Sequence, residues 1–211
     1  MRVARMTIEI PRPVPVEELR VDVRVVRSGA RAELLEGEVI AGGRPVLSAR
    51  AWRLATSPAD TPLLQPDAAP AALPGPQPPP GMAGAHPGGY ISAMEWRFPD
   101  GATFDSRGPG EVWARQRIPL VTGEPDTPLT RVLTLADSTW AVAFEIDYQT
   151  RFMINTDLTV ALHRDPVGEW LFVRAATAAS PEGSGLAVGQ LHDASGGCGR
   201  ILQSLLIGDL Y

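Results

Sequence analysis

The stretch TPLTRVLTLADSTWAVAF, residues 127–144, decides how this 211-residue chain is interpreted. Thr127 is a suitable N-cap, and Pro128 fits the first helical position, where its missing N–H costs nothing. Apolar side chains then recur at the 3.6-residue helical period along one face, namely at Leu129, Val132, Leu133, Ala136, Trp140, Ala143 and Phe144. The pattern predicts one amphipathic helix over roughly residues 128–145.

Strand patterns lie on both sides of this predicted helix. YISAMEWRF (90–98) and EVWARQRIPL (111–120) precede it, and four runs follow it at 157–164, 169–178, 184–193 and 200–207, with a turn predicted at Gly196-Gly197. A strand pair, a central apolar helix and four antiparallel strands are the element order of a hotdog, in which a curved sheet wraps around a long helix. Residues 90–211 are therefore predicted to form a complete hotdog repeat.

The first 55 residues repeat the strand half of that pattern. Alternating strands are predicted at 20–27, 33–41 and 46–55, with a hairpin turn at Gly42-Gly43. MTIEIPRP (6–13) aligns with LTVALHRD (158–165), so residues 1–55 are interpreted as a partial repeat that lacks the opening strand and the helix. The predicted fold class is α+β, a tandem (double) hotdog.

Two explanations of the incomplete first repeat are open. In the first, a natural form of the protein begins about 60 residues before Met1. In the second, the strands of residues 1–55 pack edge to edge on the second repeat and use a partner chain to cover their apolar face. Residues 56–89 hold ten of the 21 prolines and are predicted to form an extended or disordered linker between the repeats.

Composition excludes several classes of function. A formal net charge of −5 argues against nucleic-acid binding, and no apolar run is long enough for a membrane span. The chain has no lysine, which excludes Walker A and Schiff-base chemistry, and the lone Cys198 excludes a disulfide or a thiolate metal cluster. No metal and no cofactor are predicted. The residues that follow Met1 lack the apolar core of a signal peptide, so a bacterial, cytoplasmic location is expected.

Three polar side chains occupy positions where apolar ones would be expected. Asp137 lies at the margin of the helical apolar stripe, where desolvation would raise its pKa and make it a candidate general base. The alternative is an edge residue that reaches solvent. Asn155 lies at the strand after the helix, and Gln203 interrupts the apolar final strand. The first repeat has Val3 and Ala49 at the matching positions, so this polar set is peculiar to the second repeat.

The stretches TLADSTWAVAF (134–144), NTDLTVALHR (155–164) and GRILQSLLI (199–207) resemble the second repeat of acyl-CoA thioesterase II and of the wider thioesterase-like double-hotdog superfamily. In that family an Asp on the helix, a Thr on the next strand and a Gln on the last strand order and activate the hydrolytic water. The resemblance places the Asp at Asp137 and the Gln at Gln203. The Thr position falls on Asn155, and the neighbouring Thr156, a weaker substrate-binding candidate, should face the other side of the strand.

The resemblance implies an enzyme of lipid metabolism that hydrolyses an acyl-CoA thioester to free acid and CoA, without a covalent intermediate. Asp137 would take a proton from water, Asn155 and Gln203 would hold the water and the substrate, and backbone N–H groups near the helix start would stabilise the oxyanion. The alternative is a non-catalytic hotdog that binds acyl-CoA or acts as a scaffold. A hotdog dehydratase is disfavoured because no histidine lies on the helix. A homodimer is expected by analogy with other hotdogs.

Overall fold

A single antiparallel sheet carries both halves of the chain. The computed structural model describes residues 1–56, 62, 64, 67–82, 88–147 and 149–210, and of Asp100 only the backbone. The first repeat contributes the strands β1 Arg2–Glu9, β2 Arg20–Arg27, β3 Ala32–Ala41 and β4 Arg44–Leu54. These strands lie side by side in the order β2-β3-β4-β1. Gly42 and Gly43 both have positive φ in the turn between β3 and β4, which confirms the predicted Gly-Gly hairpin.

The second repeat contains the remaining elements. They are α1 Tyr90–Ala93, β5 Met94–Arg97, a 3-10 turn at Pro99–Gly101, β6 Gly110–Gln116, α2 Pro128–Ala136, α3 Thr139–Val142, β7 Arg151–Asn155, β8 Asp157–Leu162, β9 Leu171–Ala179, β10 Ser184–Asp193 and β11 Gly196–Asp209. Strands β8 to β11 are arranged as β8-β11-β10-β9, which mirrors the order of the first four strands. The internal repeat inferred from the sequence is therefore visible in the topology.

The two repeats join where β1 pairs with β8. The register runs antiparallel from Arg5 opposite Ala161 to Glu9 opposite Asp157. Across this junction the described strands form one continuous sheet with β2 at one end and β5 at the other. The first repeat thus packs edge to edge on the second, and the predicted tandem hotdog architecture is observed.

Helices α2 and α3 lie against the second half of the sheet and build the main core there. Val132 and Leu135 of α2 are buried against sheet residues such as Val173 and Ile201. Each such side chain contributes about 1.5–3 kcal/mol of hydrophobic free energy when fully buried. Within residues 1–56 the structure contains strands but no helix. None of the described helices combines the length and the apolarity that crossing a bilayer requires.

Two local predictions were wrong. Residues 90–98 were predicted as one strand, but Tyr90–Ala93 form a helical turn, because Trp96 Nε1 donates to Ile91 O at 2.9 Å and folds the segment back. The final hairpin does not turn at Gly196-Gly197, which are already part of β11. It turns two residues earlier, because the Asp193 carboxylate accepts the Ser195 N–H at 2.7 Å.

The described part of the proline-rich linker, residues 67–82, has no helix or strand. Its backbone and side chains contact the second repeat. Trp113 Nε1 donates to Ala71 O at 2.9 Å, and the Gln77 side-chain amide both donates to and accepts from the backbone of Phe98 at 2.8 Å. These hydrogen bonds hold the described part of the segment against the second repeat. Other parts of the linker, including His86, lie outside the described residues.

Candidate active site

Asp137, Asn155 and Gln203 meet at the end of helix α2. Asp137 directly follows the helix, Asn155 is the last residue of β7, and Gln203 lies in β11. Asn155 Nδ2 donates to Asp137 Oδ1 at 2.9 Å, and Gln203 Nε2 donates to the same oxygen at 3.3 Å. Asn155 pairs with Leu205, two residues after Gln203, so both amides project from the same face of the sheet. The structure thus brings the three predicted site residues together.

The helix that carries Asp137 is broken at that residue. The sequence predicts one helix over residues 128–145, but α2 ends at Ala136 and α3 begins at Thr139. At the break Ser138 N–H donates to Leu135 O at 2.9 Å, a tight i→i−3 bond, and Thr139 Oγ1 donates to Ala136 O at 2.8 Å. The predicted N-cap is confirmed, because Thr127 and Thr130 form a reciprocal capping box.

Gln203 bridges the two sides of this break. Its Oε1 accepts the backbone N–H of Trp140 at 3.0 Å, and its Nε2 donates to the backbone O of Asp137 at 3.2 Å. The residue is 0% exposed. A side-chain amide therefore satisfies one donor and one acceptor that the broken helix leaves without partners. The bend that presents Asp137 to the sheet depends on Gln203, 66 residues further along the chain.

The Asp137 carboxyl lies in an environment that disfavours its charge. Burial among protein atoms raises the pKa of this carboxyl above its ordinary value, and the hydrogen bond from Asn155 lowers it in part. The residue as a whole is nevertheless exposed to solvent. The Asp137 carboxyl is thus partly desolvated by protein atoms, although the residue still reaches solvent.

The two oxygens of this carboxyl differ. Oδ1 accepts both amide hydrogen bonds, whereas no hydrogen bond from the described residues reaches Oδ2. Asn155 makes one bond to Asp137, and its second N–H and its Oδ1 have no hydrogen bond with the described part of the chain. One carboxylate oxygen and one amide edge therefore remain able to bind a water molecule or a substrate group.

Tyr90 supports the site and was missed in the sequence, where it was assigned to a strand. Its hydroxyl donates to Thr134 O at 2.7 Å and lies 2.7 Å from Ser138 Oγ, next to Asp137. Burial raises the pKa of the Tyr90 phenol well above its ordinary value, the hydrogen bond to Ser138 lowers it, and the charge of Asp137 raises it further. A tyrosine after a glycine pair, Gly88-Gly89, was the available signal in the sequence.

Thr156 is not part of this cluster. It lies at the bend between β7 and β8, where its backbone N–H donates to Ser204 O at 3.0 Å and its hydroxyl contacts the same oxygen at 3.4 Å. Ser204 follows Gln203 in β11 and is exposed, on the opposite face of that strand. Thr156 therefore faces away from Asp137, as strand alternation predicts.

The oxyanion donors predicted at the helix start are too far away. Helix α2 begins at Pro128, nine residues before Asp137, which at ~1.5 Å per residue is about 13 Å along the axis. The capping box of Thr127 also uses the hydrogen-bonding groups at that start. The N–H groups at the helix start therefore do not reach a carbonyl held beside Asp137.

The remaining titratable candidates give no second site. Burial raises the pKa of the Cys198 thiol to about 12, so this thiol is unreactive at neutral pH. Burial lowers the pKa of both His163 and His192, and His192 packs edge-on against Phe172. Among the described residues, no group of His, Cys, Asp and Glu side chains is arranged to hold a metal ion.

Two protein-family models match the chain. The model of the acyl-CoA thioesterase N-terminal domain matches residues 1–54, and the model of the acyl-CoA thioesterase C-terminal domain matches residues 66–207. No curated protein sequence matches the chain at a significant level.

Solved structures give the same fold. Acyl-CoA thioesterase II TesB2 from Mycobacterium marinum is 18% identical with a TM-score of 0.70, over 99% of this chain and 81% of the other. A tesB protein from Mycobacterium avium subspecies paratuberculosis is 14% identical with a TM-score of 0.71, over 98% and 78%. A hotdog protein of unknown function from Alicyclobacillus acidocaldarius is 18% identical with a TM-score of 0.73, over 100% and 80%. These similarities establish the hotdog fold, and because the two family models together span most of the sequence, the chain belongs to the acyl-CoA thioesterase family and is a thioester hydrolase.

Proposed function

We propose that this protein hydrolyses an acyl-CoA thioester to the free acid and CoA, using a water molecule that Asp137 activates. The observation that carries the proposal is the asymmetry of the Asp137 carboxyl. Two amides fix Oδ1, and no described residue donates to Oδ2 of this solvent-exposed residue. A general base must be held in place and must also have one oxygen within reach of water.

The chemistry requires only water besides the thioester. The water oxygen attacks the carbonyl carbon of the thioester while Asp137 takes one proton from that water. The tetrahedral adduct then collapses, the carbon–sulfur bond breaks, and the CoA sulfur leaves with the electron pair and receives the proton from Asp137. General-base catalysis by a positioned carboxylate is worth roughly 10²–10⁴-fold in rate.

The two amides have different roles in this proposal. The Gln203 amide already binds Trp140 N–H and Asp137, so it acts as a positioning residue. Asn155 uses one N–H for Asp137 and keeps a second N–H and its Oδ1 for the reaction. We assign this second N–H to the thioester carbonyl oxygen, in place of the donors at the start of α2. An N–H donor at that position would stabilise the developing oxyanion.

The family models support acyl-CoA as the substrate, because both carry that description. The non-catalytic alternative shares the fold but needs no activated water. It would be favoured by a cluster in which every Asp137 oxygen is held by protein donors, whereas here Oδ2 has no donor among the described residues.

The test is a thiol-release assay on acyl-CoA thioesters of short, medium and long chain, with free acid measured in parallel. We expect thiol and acid to appear in equal amounts for at least one chain length. The Asp165→Asn variant, which alters an exposed loop carboxylate, is the control and should keep the wild-type rate. Binding of every acyl-CoA without any thiol release would refute the proposal and establish the non-catalytic alternative.

A further inference from the structure

Linker residues 67–80 form a strap across the outer face of the second repeat, the face opposite helices α2 and α3. Arg200 belongs to this outer face, because it alternates along β11 with Ile201, which lies in the core beneath the helices. Side chains of three strands donate to the strap, namely Arg200 of β11 to the Asp67 carboxylate, Trp113 of β6 to Ala71 O at 2.9 Å and Arg97 of β5 to Pro74 O at 2.8 Å. The strap therefore runs from β11 to β5, across the strands that lie between them.

The strap touches the sheet at every third residue. Ala71, Pro74, Gln77 and Pro80 are half-buried, and the residues between them are exposed. This spacing matches the three residues per turn of polyproline II, a conformation that has no internal hydrogen bonds and leaves its carbonyl groups free for a partner. The attachment of the strap therefore depends on the side chains beneath it.

A row of three buried rings lies beneath the strap. His192 of β10 is directly opposite Phe172 of β9, and Phe172 is directly opposite Trp113 of β6, so the three side chains share the outer face of the sheet. His192 and Phe172 are both 0% exposed, and their rings pack edge to face with centroids 5.6 Å apart. Since the strap is bonded to Trp113 at one end of this row and to Arg200 of β11 beyond the other end, it passes over the rings.

The imidazole of His192 is buried without hydrogen bonds. Neither of its ring nitrogens has a partner within the described part of the chain. A neutral imidazole has one N–H to donate, whereas an imidazolium has two N–H groups and a charge. Burial without partners therefore costs the protonated ring far more than the neutral ring. The docked strap is compatible with neutral His192 and opposes its protonation.

The charged groups around His192 act mostly in the same direction. Those that face it are Asp67 of the strap, Arg174 of β9, Arg200 of β11 and Arg164, which follows β8. Asp67 is the one anion among them, and Arg200 already binds both of its carboxylate oxygens. Burial lowers the pKa of His192, Asp67 offsets part of this effect, and the three guanidinium groups lower the pKa further. His192 therefore binds a proton more readily once the strap has left and water reaches the ring.

We propose that residues 67–80 are an acid-released strap, which stays docked on the second repeat while His192 is neutral and leaves it when this ring takes up a proton. In the released state the ring is hydrated and has its ordinary pKa of 6.5, and in the docked state the pKa is lower. Docking is therefore at full strength above pH 6.5 and weakens by up to tenfold for each pH unit below it. The pairing of β1 with β8 is not part of the strap, so the two repeats stay joined. The proposal does not depend on the hydrolytic mechanism.

Hydrogen exchange of the Trp113 indole N–H, followed by NMR on the full chain from pH 4.5 to 8, measures docking. This N–H is bonded to Ala71 O and becomes accessible when the strap leaves. We expect its protection, relative to free tryptophan at the same pH, to be constant above pH 7 and to fall by up to tenfold per unit below pH 6.5. Trp96 is the internal reference, because its Nε1 donates to Ile91 O away from the strap and should stay protected. Trp113→Phe identifies the resonance.

Substitutions at two histidines assign the proton. His192→Phe keeps an aromatic ring beside Phe172 but cannot be protonated, so Trp113 protection should become independent of pH, and His192→Gln should give the same result with a smaller side chain. His163→Gln is the matched control, since His163 also lies near Asp67 but is exposed, and it should keep the wild-type pH dependence.

Three results would each overturn the proposal. The first is a wild-type Trp113 protection that does not change between pH 4.5 and 8. The second is a loss that Trp96 shares at the same pH, which would indicate unfolding of the whole repeat. The third is a pH dependence that survives in both His192→Phe and His192→Gln.

Discussion

The side-chain amide of Gln203 replaces a peptide group in the helix that carries Asp137. Its Nε2 donates to the backbone O of Asp137 at 3.2 Å and to Asp137 Oδ1 at 3.3 Å. Its Oε1 accepts a hydrogen bond from the backbone N–H of Trp140 at 3.0 Å. One buried side chain on the last strand thereby sets both the bend of the helix and the orientation of its acid. Stability and activity are coupled at this residue.

Gln203→Leu is therefore expected to lose stability and activity together. The variant leaves the Trp140 N–H and the Asp137 carbonyl without their partner, which costs about 1–3 kcal/mol. Urea unfolding measures the stability, and kcat should fall more than KM rises, because the acid is displaced while the substrate surface stays. Gln190→Leu on β10 is the control, since its one side-chain hydrogen bond with the described residues, from Arg174, is long at 3.4 Å. Equal effects of the two substitutions would contradict the bridging role of Gln203.

The pH dependence of kcat/KM is expected to report the Asp137 carboxyl. Activity should rise with pH on the acid side, with an apparent pKa above the ordinary value of 3.8, because burial raises the pKa of this group. The hydrogen bond from Asn155 lowers that pKa, so Asn155→Ala should move the acid limb to higher pH as well as reduce the rate. Thr156→Ala changes a residue that faces away from Asp137, so it should leave the acid limb of the pH profile unchanged. A limb that moves to lower pH in Asn155→Ala would contradict the assignment.

Tyr90 and Ser138 are expected to act as a coupled pair. Tyr90→Phe removes the hydroxyl that reaches Thr134 O and Ser138 Oγ and should cost about 0.5–1.5 kcal/mol. Since Ser138 follows Asp137, kcat should fall several-fold with little change in KM. A double-mutant cycle with Ser138→Ala measures the coupling. If the changes in unfolding free energy of the two single variants simply add up in the double variant, the contact between Tyr90 and Ser138 does not contribute to stability.

Asp193 is expected to limit the stability of the fold in acid. Burial by itself would raise the pKa of Asp193, but hydrogen bonds from Arg164 and from the N–H groups of Val167 and Ser195 outweigh it and bring the pKa to about 2. Since this is below the ordinary value of 3.8, the ionised group stabilises the fold above that pH, and the contribution is lost as pH falls toward 2.

Asp193→Asn should accordingly lower the free energy of unfolding by about 3 kcal/mol at neutral pH, because it breaks a buried ion pair from one side. The difference from the wild type should shrink as the pH approaches 2. Urea unfolding at both pH values measures it, with Asp165→Asn as the exposed control. A difference that stays constant with pH would contradict the assigned ionisation.

Much of the fold could be predicted from local patterns. The alternation of valine with charged residues located the strand at 20–27, and a glycine pair located the turn at Gly42-Gly43. Both signals depend only on residues that are neighbours in the sequence. The polar residues Asp137, Asn155 and Gln203 could be selected because each interrupts an apolar pattern, and the structure places them in contact.

The break in the helix could not be predicted in this way. It depends on the Gln203 amide, 66 residues away from Asp137 in the sequence, and on side-chain bonds such as that from Thr139 to Ala136. The role of Tyr90 could not be predicted for the same reason, because its hydrogen-bond partners Thr134 and Ser138 lie more than 40 residues further along the sequence.

The central claim is tested most directly by kcat/KM for thiol release from acyl-CoA in Asp137→Asn. The substitution keeps the size of the side chain and removes the base, so we expect a loss of roughly 10²–10⁴-fold. The variant should be at least as stable as the wild type at neutral pH. A raised pKa in the folded state means that the carboxylate weakens the fold as pH rises through and above the ordinary value of 3.8. A folded Asp137→Asn protein with wild-type kcat/KM would contradict the account.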